Sequence, residues 1–297
     1  MGGLLALAGG LGMARGGGGE GEGMRMLLAS ALYGDMALAD ILPEVAAAGC
    51  VGLDLWGAPH GTQREEVDEM GEEAFGELLA EHGVQLVCST RYPLGPFGLG
   101  PEMPFLKKLG GELLVCASGG APRQDSGEAR AGIEDFLEEM APHADEAGEH
   151  GLVIAIENHS NALLSTPDSI RHWAELNRHP ALGVAFAPHH LHGAVDEMPG
   201  LIRELGAGNL PFVYLQEFGI GSKEAVAKEI ELEQMPGRGS LDYGPILAAL
   251  VEVGFRGYAV PFMHPTPRGV PVLGTAGEIT GLVRGSREHI ERCLTEL

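Results

Sequence analysis

The sequence predicts a single (β/α)8 barrel, and three observations lead there. From residue 24 onward, eight short apolar or β-branched runs recur, most of them followed by a segment with helical spacing. The body that carries them is about 270 residues long, the size of such a barrel. The first run leads into Ser30-Ala31-Leu32-Tyr33-Gly34, without the glycine-rich phosphate turn that usually follows the first strand of an open doubly wound sheet, the rival architecture.

The elements follow in order. The first strand is expected over residues 26–32, and a helix over 37–48 stops at Gly49. A second strand spans 51–56, and one helix over 65–81 stops at Gly83. A third strand at 84–89 precedes a short helical unit at 101–109. The fourth, at 112–117, precedes a long helix over 126–150 that ends at Gly151. Residues 152–157 read as a fifth strand, and Thr166-Pro167-Asp168 opens the next helix, with Pro tolerated in its first turn. A sixth strand covers 183–187, a weak helical unit 196–205, and a seventh strand 212–216. A helix over 241–253 ends at Gly254, the eighth strand covers 258–263, and a last helix runs over 275–297. No composition break divides the body, so one domain is expected over 24–297.

Composition excludes several partners. Asp and Glu number 42 against 19 Lys and Arg, a net charge of −23. A surface this acidic repels phosphate backbones and anionic lipid, so neither nucleic acid nor a membrane surface is an expected partner. No run of 18 apolar residues is present to span a bilayer. The four cysteines Cys50, Cys88, Cys116 and Cys293 form no CxxC pair, which argues against a zinc knuckle or a redox motif.

Residues 1–23 are set aside as a flexible glycine-rich segment. Their apolar part, 4–13, lacks the basic start of a signal peptide, since Arg15 follows it. A cytoplasmic protein is therefore expected, with export through a degenerate signal as the alternative.

Barrel enzymes carry their chemistry at the C-terminal ends of the strands. Strand two ends in Asp54-Leu55-Trp56 with His60 beyond, and strand three in Ser89-Thr90-Arg91-Tyr92. Strand five ends in Glu157-Asn158-His159, strand six in His189-His190-Leu191-His192, strand seven in Gln216-Glu217 and strand eight in His264. Six of the twelve histidines fall at this rim. Imidazoles and carboxylates from separate strands suit a divalent cation such as zinc, manganese, iron or cobalt. Such an ion polarises a carbonyl and hydroxyl pair on a sugar, and a neighbouring carboxylate or imidazole moves the adjacent proton.

Glu157 is the sharpest candidate. It follows the apolar run Leu152-Val153-Ile154-Ala155-Ile156, where an unpaired acid is costly unless a cation or an imidazolium compensates it. It is expected to approach at least one of His190, Glu217 and His264. Not all of His189, His190 and His192 can face inward. Asp54 also interrupts an apolar run and is either functional or a cap of a neighbouring turn. The acidic runs at 65–81 and 134–149 read as solvated helix faces. The segment 235–243 carries Arg238 between glycines and reads equally as a substrate-holding loop or as a surface turn capped by Ser240 or Asp242.

These residues resemble a known superfamily, the xylose-isomerase-like TIM barrels. Ile154-Ala155-Ile156-Glu157-Asn158-His159 is similar to its strand-five signature. Gly237-Arg238-Gly239-Ser240-Leu241-Asp242-Tyr243, followed by Gly254-Phe255-Arg256-Gly257-Tyr258, resembles its later G-x-G and G-aromatic-x-G patterns. The superfamily includes sugar isomerases and epimerases, inosose dehydratases and repair endonucleases; the net charge opposes the last branch. The resemblance implies a metal held by Glu from strand five, Asp from six, His from seven and Glu from eight. Only Glu157 matches plainly. Ala187-Pro188-His189-His190 keeps the His of the strand-six pattern and lacks its Asp. On strand seven the expected His falls near Tyr214, Gln216 or Glu217, and on strand eight the acid falls among Val260, Pro261 and Phe262.

The expectation is therefore a sugar isomerase or epimerase acting by proton transfer next to a carbonyl, assisted by a divalent cation. Glu157 and His190 would be catalytic. Glu157, His190, Glu217 and His264 would hold the metal, and Arg91, His159 and Arg238 would contact a small carbohydrate. Homo-oligomerisation is left open. The alternatives are a non-catalytic carbohydrate-binding barrel without metal, or a lyase acting on an oxidised sugar.

Overall fold

Parallel pairing runs through the chain in sequence order. The strands β1 (Leu27–Ala29), β2 (Gly52–Trp56), β3 (Leu86–Thr90), β4 (Leu113–Ala117), β5 (Val153–Glu157), β6 (Leu182–Phe186), β7 (Phe212–Leu215) and β8 (Tyr258–Pro261) each bond to the next. Met26 pairs with Ala259 and closes the ring, with the Ala259 N–H donating to the Arg25 carbonyl at 2.9 Å. The computed structural model describes residues 24–297, so the expectation for residues 1–23 lies outside the described residues. Each of the eight segments read from the sequence overlaps one of these strands, with β3 running one residue further and β6 starting one residue earlier than expected. The first is trimmed because Ser30–Tyr33 coils into a 3-10 turn that ends at Gly34, φ 57°.

Helices α1 (Leu38–Ala47), α2 (Gln63–Met70), α3 (Glu72–His82), α4 (Glu102–Lys108), α5 (Ser126–Glu149), α6 (Pro167–Leu176), α7 (Met198–Leu205), α8 (Lys228–Glu231), α9 (Gly244–Glu252) and α10 (Ala276–Thr295) lie between and after the strands. One expectation is corrected: the single helix over 65–81 is two. Gly71 adopts φ 86°, outside the helical region, and turns the chain between α2 and α3. Local signals start the longer helices. Asp125 accepts the Glu128 N–H at 3.0 Å to cap α5, and Thr166 with Ser169 forms a capping box ahead of Pro167 in α6.

Helix faces close over the strands through large apolar side chains such as Phe75 and Leu79 of α3, Phe136 of α5 and Trp173 of α6. Burying each contributes about 1.5–3 kcal/mol. At the N-terminal end of the barrel the Arg25 guanidinium covers the Tyr258 ring at 3.9 Å, and the Tyr258 hydroxyl donates to Glu112 at 2.9 Å. Contacts at that end hold the ring together; the opposite end is left for chemistry. Among the described residues no helix is long and apolar enough to cross a membrane.

Candidate functional site

Glu157 ends β5 and is buried at the barrel mouth, 3% exposed. The Tyr92 hydroxyl, just past β3, donates to its Oε2 at 2.7 Å. Tyr214 of β7 stands 3.2 Å behind, hydroxyl to hydroxyl. His190 Nε2 is 3.7 Å from the other carboxylate oxygen. Burial pushes the Glu157 carboxyl up to about 8, against the opposing pull of the Tyr92 hydrogen bond.

The histidines gather beside it. His159 and His190 have ring centroids 4.0 Å apart, and His189 and His190 3.9 Å. His189 is buried while His192 turns outward and stacks on the exposed Phe218 at 3.9 Å. Burial first, then like charges nearby, lowers the protonation of His159, His189 and His190, so each imidazole is neutral and free to use a lone pair. Glu157, His159 and His190 each offer a ligand atom, and all of these atoms lie within 4.8 Å of one another. His190 Nε2 is buried without a hydrogen-bond partner. An orphaned nitrogen, a second imidazole and a buried carboxylate make a donor set that fits a divalent cation.

The expected quartet is not brought together as a whole. Glu157 and His190 meet, and His159, expected to touch substrate, joins them. Glu217 and His264 lie outside that group. Glu217 accepts the Gly237 N–H at 3.0 Å and the Leu241 N–H at 2.8 Å, so its carboxylate holds the loop after residue 235. His264 packs against Phe262 and His60, with ring centroids at 4.8 and 5.2 Å. Arg91 pairs with the buried Glu102 at 3.3 Å, and Arg238 is exposed on its loop. Asp242 accepts the Gly244 N–H at 2.9 Å just ahead of α9, whose N-cap position is Tyr243.

Asp54 is wholly buried and serves the barrel interior. Its two oxygens accept from the Thr90 hydroxyl at 2.8 Å and the Trp56 indole at 2.6 Å. Burial raises its carboxyl from 3.8 to about 6, with those hydrogen bonds opposing. Between these values the folded chain binds a proton that the unfolded chain has released. Stability is therefore greatest below the lower value and falls as pH rises through the window, by on the order of 3 kcal/mol in full. Asp54→Asn should flatten that fall in urea unfolding run from pH 4 to pH 7; parallel profiles for parent and variant would refute the assignment.

Aromatic side chains floor the mouth, a role that Trp56, Tyr92, Tyr214 and Phe262 do not on their own reveal in the sequence. Trp56 stacks on Phe262 at 4.9 Å and approaches Tyr92 at 5.5 Å, and Tyr214 meets Phe262 at 5.6 Å. A signal for two of them was present. Asp54 and Thr90 meet inside the barrel, and strand side chains repeat every two residues, so Trp56 and Tyr92 are the next inward positions.

The sequence profile of the xylose isomerase-like TIM barrel family matches residues 42–273. The chain belongs to that family. Among solved structures, this family member is similar to the IolI protein with a bound zinc atom, at 17% identity and a TM-score of 0.69, over 92% of this chain and 99% of that one. It also resembles D-psicose 3-epimerase solved in the presence of D-fructose, at 14% identity and 0.65, over 91% and 99%. The apo 3-keto-D-glucoside 4-epimerase YcjR from E. coli matches at 15% identity and 0.62, over 90% and 100%. At these identities the likeness establishes the fold that the xylose isomerase-like barrels share.

Proposed function

We propose that this barrel is a sugar isomerase or epimerase that moves a proton next to a carbonyl with the help of a divalent cation. The observation that carries the reading is the convergence of Glu157, His159 and His190 at the mouth, with ligand atoms within 4.8 Å and both imidazoles neutral. These three residues would hold the cation, which when bound polarises the oxygens of a carbonyl and hydroxyl pair.

The other steps belong to the chain. Tyr92 orients the Glu157 carboxylate through its 2.7 Å hydrogen bond and, backed by Tyr214, fixes which oxygen remains free. That free Oε1 faces His190. The Glu157 carboxylate supplies the acceptor for a proton taken from carbon and returned to its neighbour or to the other face. The stacked Trp56 and Phe262 and the partly buried Tyr92 keep bulk water from the transfer.

The test is elemental analysis of the purified chain, followed by incubation with aldose and ketose panels after loading with zinc, manganese, cobalt or iron. About one equivalent of metal and interconversion of at least one sugar pair are expected. A chain that takes up no divalent metal under any loading condition defeats the reading. In that case a metal-free carbohydrate-binding barrel stands instead. The strand-eight stretch Val260-Pro261-Phe262 favours it, since the family resemblance implies an acid among these residues and none is there.

A further inference from the structure

The segment between β8 and α10 carries Arg268, half-buried, four residues beyond His264, and the next residue, Gly269, lies against the Pro59 carbonyl beside His60. Its Nη1 donates to the Pro265 carbonyl at 3.0 Å and its Nη2 to the Ser222 carbonyl at 3.1 Å. These carbonyls orient the guanidinium without neutralising it. Glu231, the acid whose charge reaches it, is already engaged by Lys228 and by the Thr266 N–H at 2.8 Å. Among the described residues Arg268 forms no ion pair of its own.

Three histidines stand with it. The rings of His60 and His264 are 5.2 Å apart, and those of His189 and His264 6.3 Å. Nδ1 of His60, Nδ1 of His264 and both nitrogens of His189 are buried without a hydrogen-bond partner. Buried polar atoms left in this state are costly, and several at one place point to a ligand that completes them. Among the described residues none of these three imidazoles pairs with an acid; the histidine–acid pairs are those of His179 and His190. In a chain of net charge −23 this corner is a local exception. A cation would be repelled there by Arg268, while an oxyanion meets one charge and several N–H donors.

We propose that Arg268, His60, His189 and His264 form an oxyanion subsite beside Glu157, and that the substrate is an anionic sugar carrying a carboxylate or a phosphate. The second half of this inference rests on the sugar reading above. Each imidazole can donate an N–H, and the guanidinium has three N–H groups left for the anion. The subsite would fix the charged end of the sugar while its carbonyl end lies at Glu157, His159 and His190.

Calorimetric titration of the full chain with inorganic phosphate, D-glucuronate, D-glucose 6-phosphate and D-glucose tests this, using parent, Arg268→Ala and Arg268→Lys. Phosphate should bind, and one charged sugar should bind at least about tenfold more tightly than glucose. Arg268→Ala should lose that advantage and Arg268→Lys keep part of it, with metal content unchanged. Whether glucuronate or glucose 6-phosphate is preferred separates carboxylate from phosphate. Equal binding of charged and neutral sugars, or an Arg268→Ala chain that binds anions as the parent does, overturns the subsite and leaves the sugar reading standing. Arg268-dependent binding of phosphate with no sugar bound upholds the subsite and overturns the sugar reading. Silence from all four probes overturns both.

Discussion

Glu157→Gln should strip the protein of bound divalent metal and of any isomerase activity while leaving its fold intact. The change replaces a carboxylate with a neutral amide of the same shape, and the amide oxygen still accepts the Tyr92 hydroxyl. What disappears is the one anionic member of the Glu157, His159 and His190 group. Removing an outer hydrogen-bond partner of a metal ligand typically costs about 10–100-fold in affinity, so losing the anionic ligand itself should exceed about 100-fold. The metal-free variant should also be no less stable than the metal-free parent. Burial already disfavours the charged Glu157 carboxyl, as its rise to about 8 records, and Gln carries no charge to bury. Equilibrium dialysis with zinc or manganese, together with thermal melting after chelation, measures both effects. Metal uptake equal to the parent's would remove Glu157 from the centre. A collapsed melting curve would make it a structural residue.

The same residue shows why part of the site could be read from the chain. A parallel strand covered on both faces is apolar throughout, so the acid after Leu152–Ile156 stands out without any three-dimensional knowledge. All eight strands were legible for that reason. His190 was legible because three histidines fall within four residues at a strand end. Glu217 has the same strand-end position and a different fate. Its carboxylate turns to the Gly237 and Leu241 N–H groups some twenty residues on, a closure that no local pattern encodes. His159 and the aromatic floor depend likewise on which strands meet across the barrel. The break between α2 and α3 was hidden by composition. Gly71 interrupts a helix while Gly76, five residues later, sits inside one. In a chain with 47 glycines, only tertiary packing tells the two apart.

Glu102→Ala should be the most destabilising single substitution near the mouth, costing about 3–5 kcal/mol in urea or guanidinium unfolding. Glu102 begins α4 and is 3% exposed. Arg64 of α2 reaches it with Nη2 at 3.1 Å and Nε at 3.2 Å, Arg91 with Nη1 at 3.3 Å, and the Ser89 hydroxyl of β3 at 3.3 Å. One carboxylate thus compensates two largely buried guanidiniums, and Arg64 also lies over the Phe105 ring at 4.2 Å. Removing the carboxylate leaves Arg91 without an anion and Arg64 with only the exposed Asp68, which costs far more than the pair itself contributes. Arg91 is the neighbour of Tyr92, so the loss should also loosen the hydroxyl that orients Glu157. Weaker metal binding in Glu102→Ala is expected to accompany the lost stability. The exposed Glu72–Lys108 pair, 2.8 Å apart, supplies the control: Glu72→Gln should change stability by less than about 1 kcal/mol. If the two substitutions cost the same, the buried cluster is not what ties α2, β3 and α4 together beneath the site.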